Sequence, residues 1–233
     1  MGKAPFTEAG YKQRLKSITD ARKAALKNVN KMHVRLQKGT SKTGPNCYTV
    51  SLMPVIDCVN CEQCRLNCYD LKSDLYRPQA IHDRARNSAI HKIDPERFWK
   101  EVDLQVKAKY ATELRINVGG DLTEEDFSYV AKLGRINPQT SIMFFTKNYK
   151  GINNFLDHHR FPKNVHPIMS AWKGLEMDNP HRLPESHVLF DDGTTTAPEY
   201  GAYFCGGNCS ECHFYGRGCW TLKKGEHVIL KEH

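Results

Sequence analysis

Apolar residues near the start of the chain recur at alternating spacings of four and three. The series runs Tyr11, Leu15, Ile18, Ala25, Val29, Met32 and Leu36, with Arg22 at the one position that interrupts it. Side chains at that period share one face of an α-helix, so the stripe predicts an amphipathic helix that buries one side. Thr7 is the expected N-cap, and Lys38-Gly39 the expected stop. One such stretch is too short for a coiled coil, and docking on the rest of the chain is expected.

Beyond Pro45 the period switches between two and three-to-four. Residues 47–53 are short and β-rich, and an irregular cysteine-bearing loop follows. Residues 76–92 and 94–111 predict helices, the second with Pro95 in its first turn. Residues 114–118 predict a strand running into Gly119-Gly120-Asp121, and 123–133 a helix capped by Thr123 and closed by Gly134. Residues 141–146 predict a strand, 149–158 a helix, and 165–172 and 187–190 further strands. Residues 203–205 and 227–230 carry fainter strand signals. No internal repeat or low-complexity segment interrupts the series.

Apolar strands alternating with helices indicate a parallel α/β sheet built from βαβ units. Polar residues gather behind the strands, at 117–121, 146–148 and Trp172-Lys173. The carboxyl ends of parallel strands are where such folds place their sites. The expected fold is therefore a complete or partial (β/α) barrel-like parallel sheet, flanked by two cysteine loops. A basic helical arm over residues 1–45 precedes the α/β body over 46–233.

Composition narrows the setting. The chain has 233 residues, 39% hydrophobic and 26% charged, which excludes a wholly disordered chain. No stretch approaches the roughly eighteen consecutive apolar residues of a spanning helix, so no membrane partner is expected. No apolar signal segment follows Met1, and a cytoplasmic location is expected. The charge is uneven: residues 1–45 hold eleven Lys and Arg against Glu8 and Asp20, a local +9 in a chain whose total is +8. Such an arm suits a nucleic acid or an acidic host protein, or it is a solvated helix face.

Nine cysteines need an explanation in a reducing compartment, where their pattern points to metal rather than disulfides. The first group is Cys58, Cys61, Cys64 and Cys68, at spacings x2, x2 and x3. Single zinc sites usually draw paired ligands from two separated turns, whereas this run matches the ligand spacing of bacterial [4Fe–4S] ferredoxins. The second group is Cys205, Cys209, Cys212 and Cys219, interleaved with Gly206, Gly207, Gly216 and Gly218. Its first three cysteines have the x3, x2 spacing of radical S-adenosylmethionine enzymes. Here, however, they follow the strands, Glu211 precedes the third cysteine, and Cys219 offers a fourth ligand that would close the site. One or two [4Fe–4S] clusters are expected, with zinc as the alternative and S-adenosylmethionine as a further one. The groups lie on either side of the body in sequence and could serve two centres or converge on one. A closed site can also act as a staple, since metal binding contributes folding free energy.

Cys58, Cys64, Cys68-Tyr69, Arg86-Asn87, Gly120-Asp121, Phe145-Thr146-Lys147 and Cys219-Trp220 together resemble the phage and mobile-element gene product 88 family. The resemblance spans roughly residues 47–220, leaves the basic arm outside, and carries Cys61 as an addition to the family pattern. It implies a phage-type iron–sulfur protein with a barrel-like body, located in the host cytosol.

Other residues carry weaker signals. Asp121 could bind a ligand amine or move a proton, or it could cap the next turn. Lys147 could hold a phosphate or carboxylate, or be an ordinary exposed lysine. Gly119, Gly120 and Asp121 would line a cosubstrate pocket if the body were an enzyme. His82 and Arg86 lie one turn apart and could face the first cysteine group, while His158-His159 point apart and are surface residues. Residues 191–196 form a turn and polar loop. No Walker A sequence, nucleophile elbow or His-Glu-x-x-His stands in the chain. The principal expectation is an iron–sulfur protein, its cluster structural or redox-sensing, that binds a host protein or nucleic acid through the basic surface. A radical S-adenosylmethionine-like barrel enzyme and a zinc-stapled nucleic-acid-binding module are the alternatives.

Overall fold

Thr7 starts the first helix as its sequence suggests. In the computed structural model, which describes residues 5–40, 42–74 and 78–232, its hydroxyl accepts the Gly10 N–H at 3.1 Å and caps α1 (Glu8–Leu26). Tyr11, Ile18 and Ala25 of the predicted stripe are buried.

The helix ends at Leu26, well before the expected stop at Lys38-Gly39. A short 3-10 turn (Val29–Lys31) follows, and the chain then runs extended into β1 (Gln37–Lys38). Val29, Val34 and Leu36 are nevertheless buried. The extended backbone finds partners that a continued helix would have supplied internally. Glu101 accepts the Val34 N–H at 2.7 Å, and Gln105 accepts from Leu36 N–H at 3.3 Å while donating to the Val34 carbonyl at 2.6 Å. Asn87 accepts the Arg35 N–H at 2.8 Å and donates to the Arg35 carbonyl at 3.0 Å. Side chains far along the chain thus override the local period.

The remaining elements are β2 (Cys47–Val50), α2 (Tyr69–Asp74), α3 (Pro78–Ile93), α4 (Pro95–Ala108), β3 (Glu113–Ile116), α5 (Glu124–Ile136), β4 (Ser141–Thr146) and α6 (Tyr149–His158). After them come β5 (Val165–Ser170), β6 (Glu185–Leu189), β7 (Ala202–Phe204), α7 (Cys209–Phe214) and β8 (His227–Lys231). The predicted start of α3 at residue 76 lies outside the described residues. Gly134 lies within α5 rather than behind it. A Cβ there would meet Val165 at 2.5 Å, so the missing side chain lets α5 approach β5 closely.

Among the described residues, eight strands form one mixed sheet in the order β1-β2-β3-β4-β5-β6-β8-β7. β1 pairs antiparallel with β2, and every other pairing is parallel. The sheet does not close, so a complete barrel is not formed. Its ends are β1, with two residues, and β7, with three, which leaves few ladder bonds with which to join them.

Alternation divides the sheet into two faces. Leu114, Ile116, Ile142, Phe144, Val165 and Met169 join the main core with Ile18, Phe98, Val102, Phe127 and Ile152 from the helices. The intervening positions Cys47, Met143 and Ile168 meet Trp220 on the opposite face, where Phe145, Cys219 and Leu222 pack against them. The C-terminal cysteine segment therefore covers the face that the helices leave free.

Candidate metal centres at the two cysteine loops

The first cysteine loop leaves β2 and lies across the carboxyl ends of the next strands. Asp121, behind β3, donates its N–H to the Asp57 carbonyl at 2.8 Å. Asn60 donates to the Lys147 carbonyl behind β4 at 2.8 Å, and the Trp172 indole behind β5 donates to the Gln63 carbonyl at 3.1 Å. The polar strand-end residues noted in the sequence thus fasten this loop.

Val55 bends the loop. It has φ 66°, an unusual conformation for a β-branched residue. In that conformation its N–H points to the Cys58 sulfur at 3.2 Å, and its carbonyl accepts from the Cys61 thiol at 3.7 Å. The Cys64 thiol donates to the Cys61 carbonyl at 3.5 Å. Backbone N–H groups of Leu71 and Asp70 reach the Cys68 sulfur. Burial pushes the Cys58 and Cys61 thiols up, and neighbouring sulfurs push the same way. Burial also outweighs the backbone bonds at Cys68 and moves it up to about 12. Raised values favour the protonated thiols at Cys58, Cys61 and Cys68, and metal binding there would release protons.

The second group sits on the other face of the sheet. Cys205 follows β7, Cys209 and Cys212 lie on α7, and Cys219 lies in a 3-10 turn (Gly218–Trp220). The Gly207 N–H donates to the Cys205 sulfur at 3.4 Å. Gly218 has φ 83°, and a Cβ there would meet the Cys212 Cβ at 2.8 Å, so glycine permits this approach. Burial moves the Cys219 thiol up to about 12 and raises Cys209, while the Arg115 guanidinium pulls both the other way. The Tyr203 hydroxyl faces the Cys219 sulfur, and Trp220 is buried beside it.

Cys58, Cys61, Cys68, Cys209 and Cys219 each feel sulfurs of their own group, and the described contacts link no thiol of one group to the other. Neither group is drawn in as tightly as ligands of one ion. Among the described residues, Glu185, His187 and His227 form the one set of three or more whose ligand atoms all lie within 4.8 Å of one another. The ninth cysteine, Cys47, is buried in β2, and burial moves its thiol up to about 12.

Several other candidates have structural partners. Asp121 is buried and accepts from Leu122 N–H at 2.7 Å, the Thr146 hydroxyl at 2.7 Å and Lys147 N–H at 2.8 Å, tying the ends of β3 and β4 together. Burial moves its carboxyl up to about 6 against those three bonds. Thr123, not Asp121, caps α5, through a capping box with Asp126. Gly119 and Gly120 are packed rather than open: a Cβ at the first would strike Asp70 Oδ2 at 1.8 Å, and at the second the Leu52 Cβ at 2.7 Å. The Lys147 ammonium lies 5.6 Å from the centre of the Trp172 ring. His82 is exposed, and Arg86 lines a cleft with residues 31–35, Glu101 and Gln105. His158 and His159 are exposed as expected.

Sequence reasoning passed over Arg115 and Tyr203 beside the second group, and the Arg84–Asp70 ion pair beside Gly119. Arg115 did leave a signal, a charge inside a strand expected to be covered on both faces.

The model of the family described as gene product 88 matches residues 12–217. That match begins inside α1, so most of the basic segment, expected to lie outside the resemblance, falls within it. No curated protein and no solved structure matches the chain. No helix among the described residues is long and apolar enough to cross a membrane.

Proposed function

The chain belongs to the gene product 88 family, and from that premise we propose that it is an iron–sulfur protein. Each cysteine quartet holds one cluster, and the basic helix docks an anionic partner, a nucleic acid or an acidic host-protein surface. The observation that carries this reading is the setting of the first quartet. Four cysteines at x2, x2, x3 spacing share one loop, and backbone N–H groups point at the Cys58 and Cys68 sulfurs. Such donors stabilise charge on thiolate sulfur and tune cluster potential.

When bound, an iron–sulfur cluster supplies one-electron redox chemistry, so each site can hold the fold or report the redox state. The protein's own residues set its surroundings. Arg115 places a positive charge by the second quartet, and Trp220 excludes water from its inner side. The filled space over Gly119 and Gly120 supports a binding protein over a cosubstrate-using enzyme. Lys12, Lys23, Lys27 and Lys31 are exposed on and just behind α1 and offer the docking charge.

Purification without oxygen tests the reading. Brown protein with iron and acid-labile sulfide, near two clusters per chain, is the expected result. Stoichiometric zinc without sulfide, in protein from iron-replete cells, would overturn it in favour of a zinc-stapled module.

A further inference from the structure

A donor set of different chemistry lies on β6 and β8. Glu185 and His187 alternate along β6 and so share a face, and the parallel register sets His227 of β8 beside Glu185. Met169, which pairs with Glu185, belongs to the helix-side core, whereas Tyr203 on the opposite face meets Cys219. The set is thus separated by the sheet from the second cysteine quartet.

Three atoms converge. Glu185 Oε2 lies 3.2 Å from His187 Nε2 and 3.1 Å from His227 Nδ1, and the two ring nitrogens are 3.2 Å apart. With metal–ligand bonds of about 2.0–2.1 Å, two ligands on one tetrahedral ion stand roughly 3.3 Å apart. The triangle therefore has the dimensions of one face of a single ion's coordination shell.

Hydrogen bonding alone leaves this triangle frustrated. Each ring nitrogen presents either one hydrogen or one lone pair. If both carry hydrogens and donate to the carboxylate, the two N–H groups oppose each other. If one is bare, its lone pair faces either the carboxylate or the other ring. With Glu185 ionised, no arrangement of the ring protons makes all three edges attractive. A central cation does.

Two of the three outward-facing atoms are already engaged. His187 Nδ1 lies 3.1 Å from the Thr196 hydroxyl, and Asn179 donates to the other Glu185 oxygen at 2.7 Å. Such outer bonds fix ring tautomer and carboxylate orientation at metal sites. His187 is buried, while Glu185 and His227 keep partial access to solvent.

We propose that Glu185, His187 and His227 bind one divalent first-row transition metal ion, with Thr196 and Asn179 as positioning residues. Two imidazoles and one carboxylate are the donor set of catalytic zinc sites and of non-haem iron sites, and both leave coordination positions for water or a substrate oxygen. This assignment stands whatever the cysteines hold.

Manganese is the probe, because thiolates compete poorly for it and only the added ion is read. The full-length protein is titrated with Mn²⁺ while the six-line electron paramagnetic resonance signal of the free ion is followed. Wild type should take up one equivalent. Glu185→Gln and His227→Gln, on different strands, should each weaken uptake at least tenfold, and Thr196→Val should weaken it less. Bound Mn²⁺ should also broaden the His187 and His227 ring resonances of wild type, a readout that needs no substitution. Absence of uptake at millimolar Mn²⁺ would overturn the assignment. So would uptake that leaves those resonances sharp or survives both ligand substitutions in folded protein.

Discussion

The Arg22 guanidinium donates to Asp57 at 2.7 Å, and the two side chains are only 15% and 11% exposed. Arg22 is the residue that interrupts the apolar stripe of α1, and Asp57 directly precedes Cys58. The interruption is therefore a fastening point: it ties the first helix to the first cysteine loop. The same Asp57 carboxylate accepts the Met53 N–H at 2.8 Å, holding the turn from which the loop departs.

Removing Arg22 should accordingly act at two places. Arg22→Ala leaves a mostly buried carboxylate without its cation, a change of the kind that costs about 3 kcal/mol. It should lower the urea midpoint and reduce the iron retained per chain, while Arg22→Lys should restore much of both. Equal stability and iron content in Arg22→Ala and wild type would show that the pair does not hold the loop.

Cys219 and Cys47 should behave differently although the half-buried Cys219 packs on the same face as the buried Cys47. Cys219→Ser is expected to lose the iron of one cluster, or to make it labile to oxygen, whereas Cys47→Ala should retain the wild-type iron and sulfide. Iron analysis with electron paramagnetic resonance of the reduced protein checks this. Adding S-adenosylmethionine should leave the wild-type spectrum unchanged. A spectral change on addition, with iron retained in Cys219→Ser, would favour an enzyme with an open iron.

The charges of the first helix can be reversed without touching its core face. Replacing Lys12, Lys23, Lys27 and Lys31 by Glu keeps Tyr11, Ile18 and Ala25 in place. Binding to duplex DNA, measured against salt, should weaken, and the log–log slope should fall by about 0.9 for each phosphate that is no longer neutralised. If DNA is not the partner, binding to an acidic host protein should weaken instead. Wild-type binding to both would leave the basic face with a solubilising role.

Asp126 should set part of the acid sensitivity. Burial, the largest influence, pushes its carboxyl up, but bonds from His91, the Trp99 indole and the Thr123 N–H outweigh it and hold the group below its ordinary value. A lowered folded value means that its stabilisation is present above the ordinary carboxylate range. It is lost as the pH falls through the folded value. Asp126→Asn should cost about 1–3 kcal/mol at neutral pH and flatten the fall in stability toward acid. Urea midpoints collected from pH 7 to pH 3 give the comparison, and parallel curves for the two proteins would contradict it.

Local patterns carried much of the architecture. Strand 141–146 and helix 149–158 lie where their periods place them, because an apolar face repeats correctly only in one backbone conformation. The parallel α/β character and the two cysteine groups were equally legible, since both are written in short-range spacing. What spacing could not convey was which distant groups meet. Residues 32–36 leave the helix because Asn87, Glu101 and Gln105 bond their backbone. Asp121 became a brace between strands through Thr146 and Lys147, and Gly119-Gly120 became packing surfaces for Asp70 and Leu52. Glu185, His187 and His227 joined only when β8 was set beside β6. Hydrogen bonds and ligand triangles between segments depend on sheet order and register, which are properties of the folded chain rather than of any one window of its sequence.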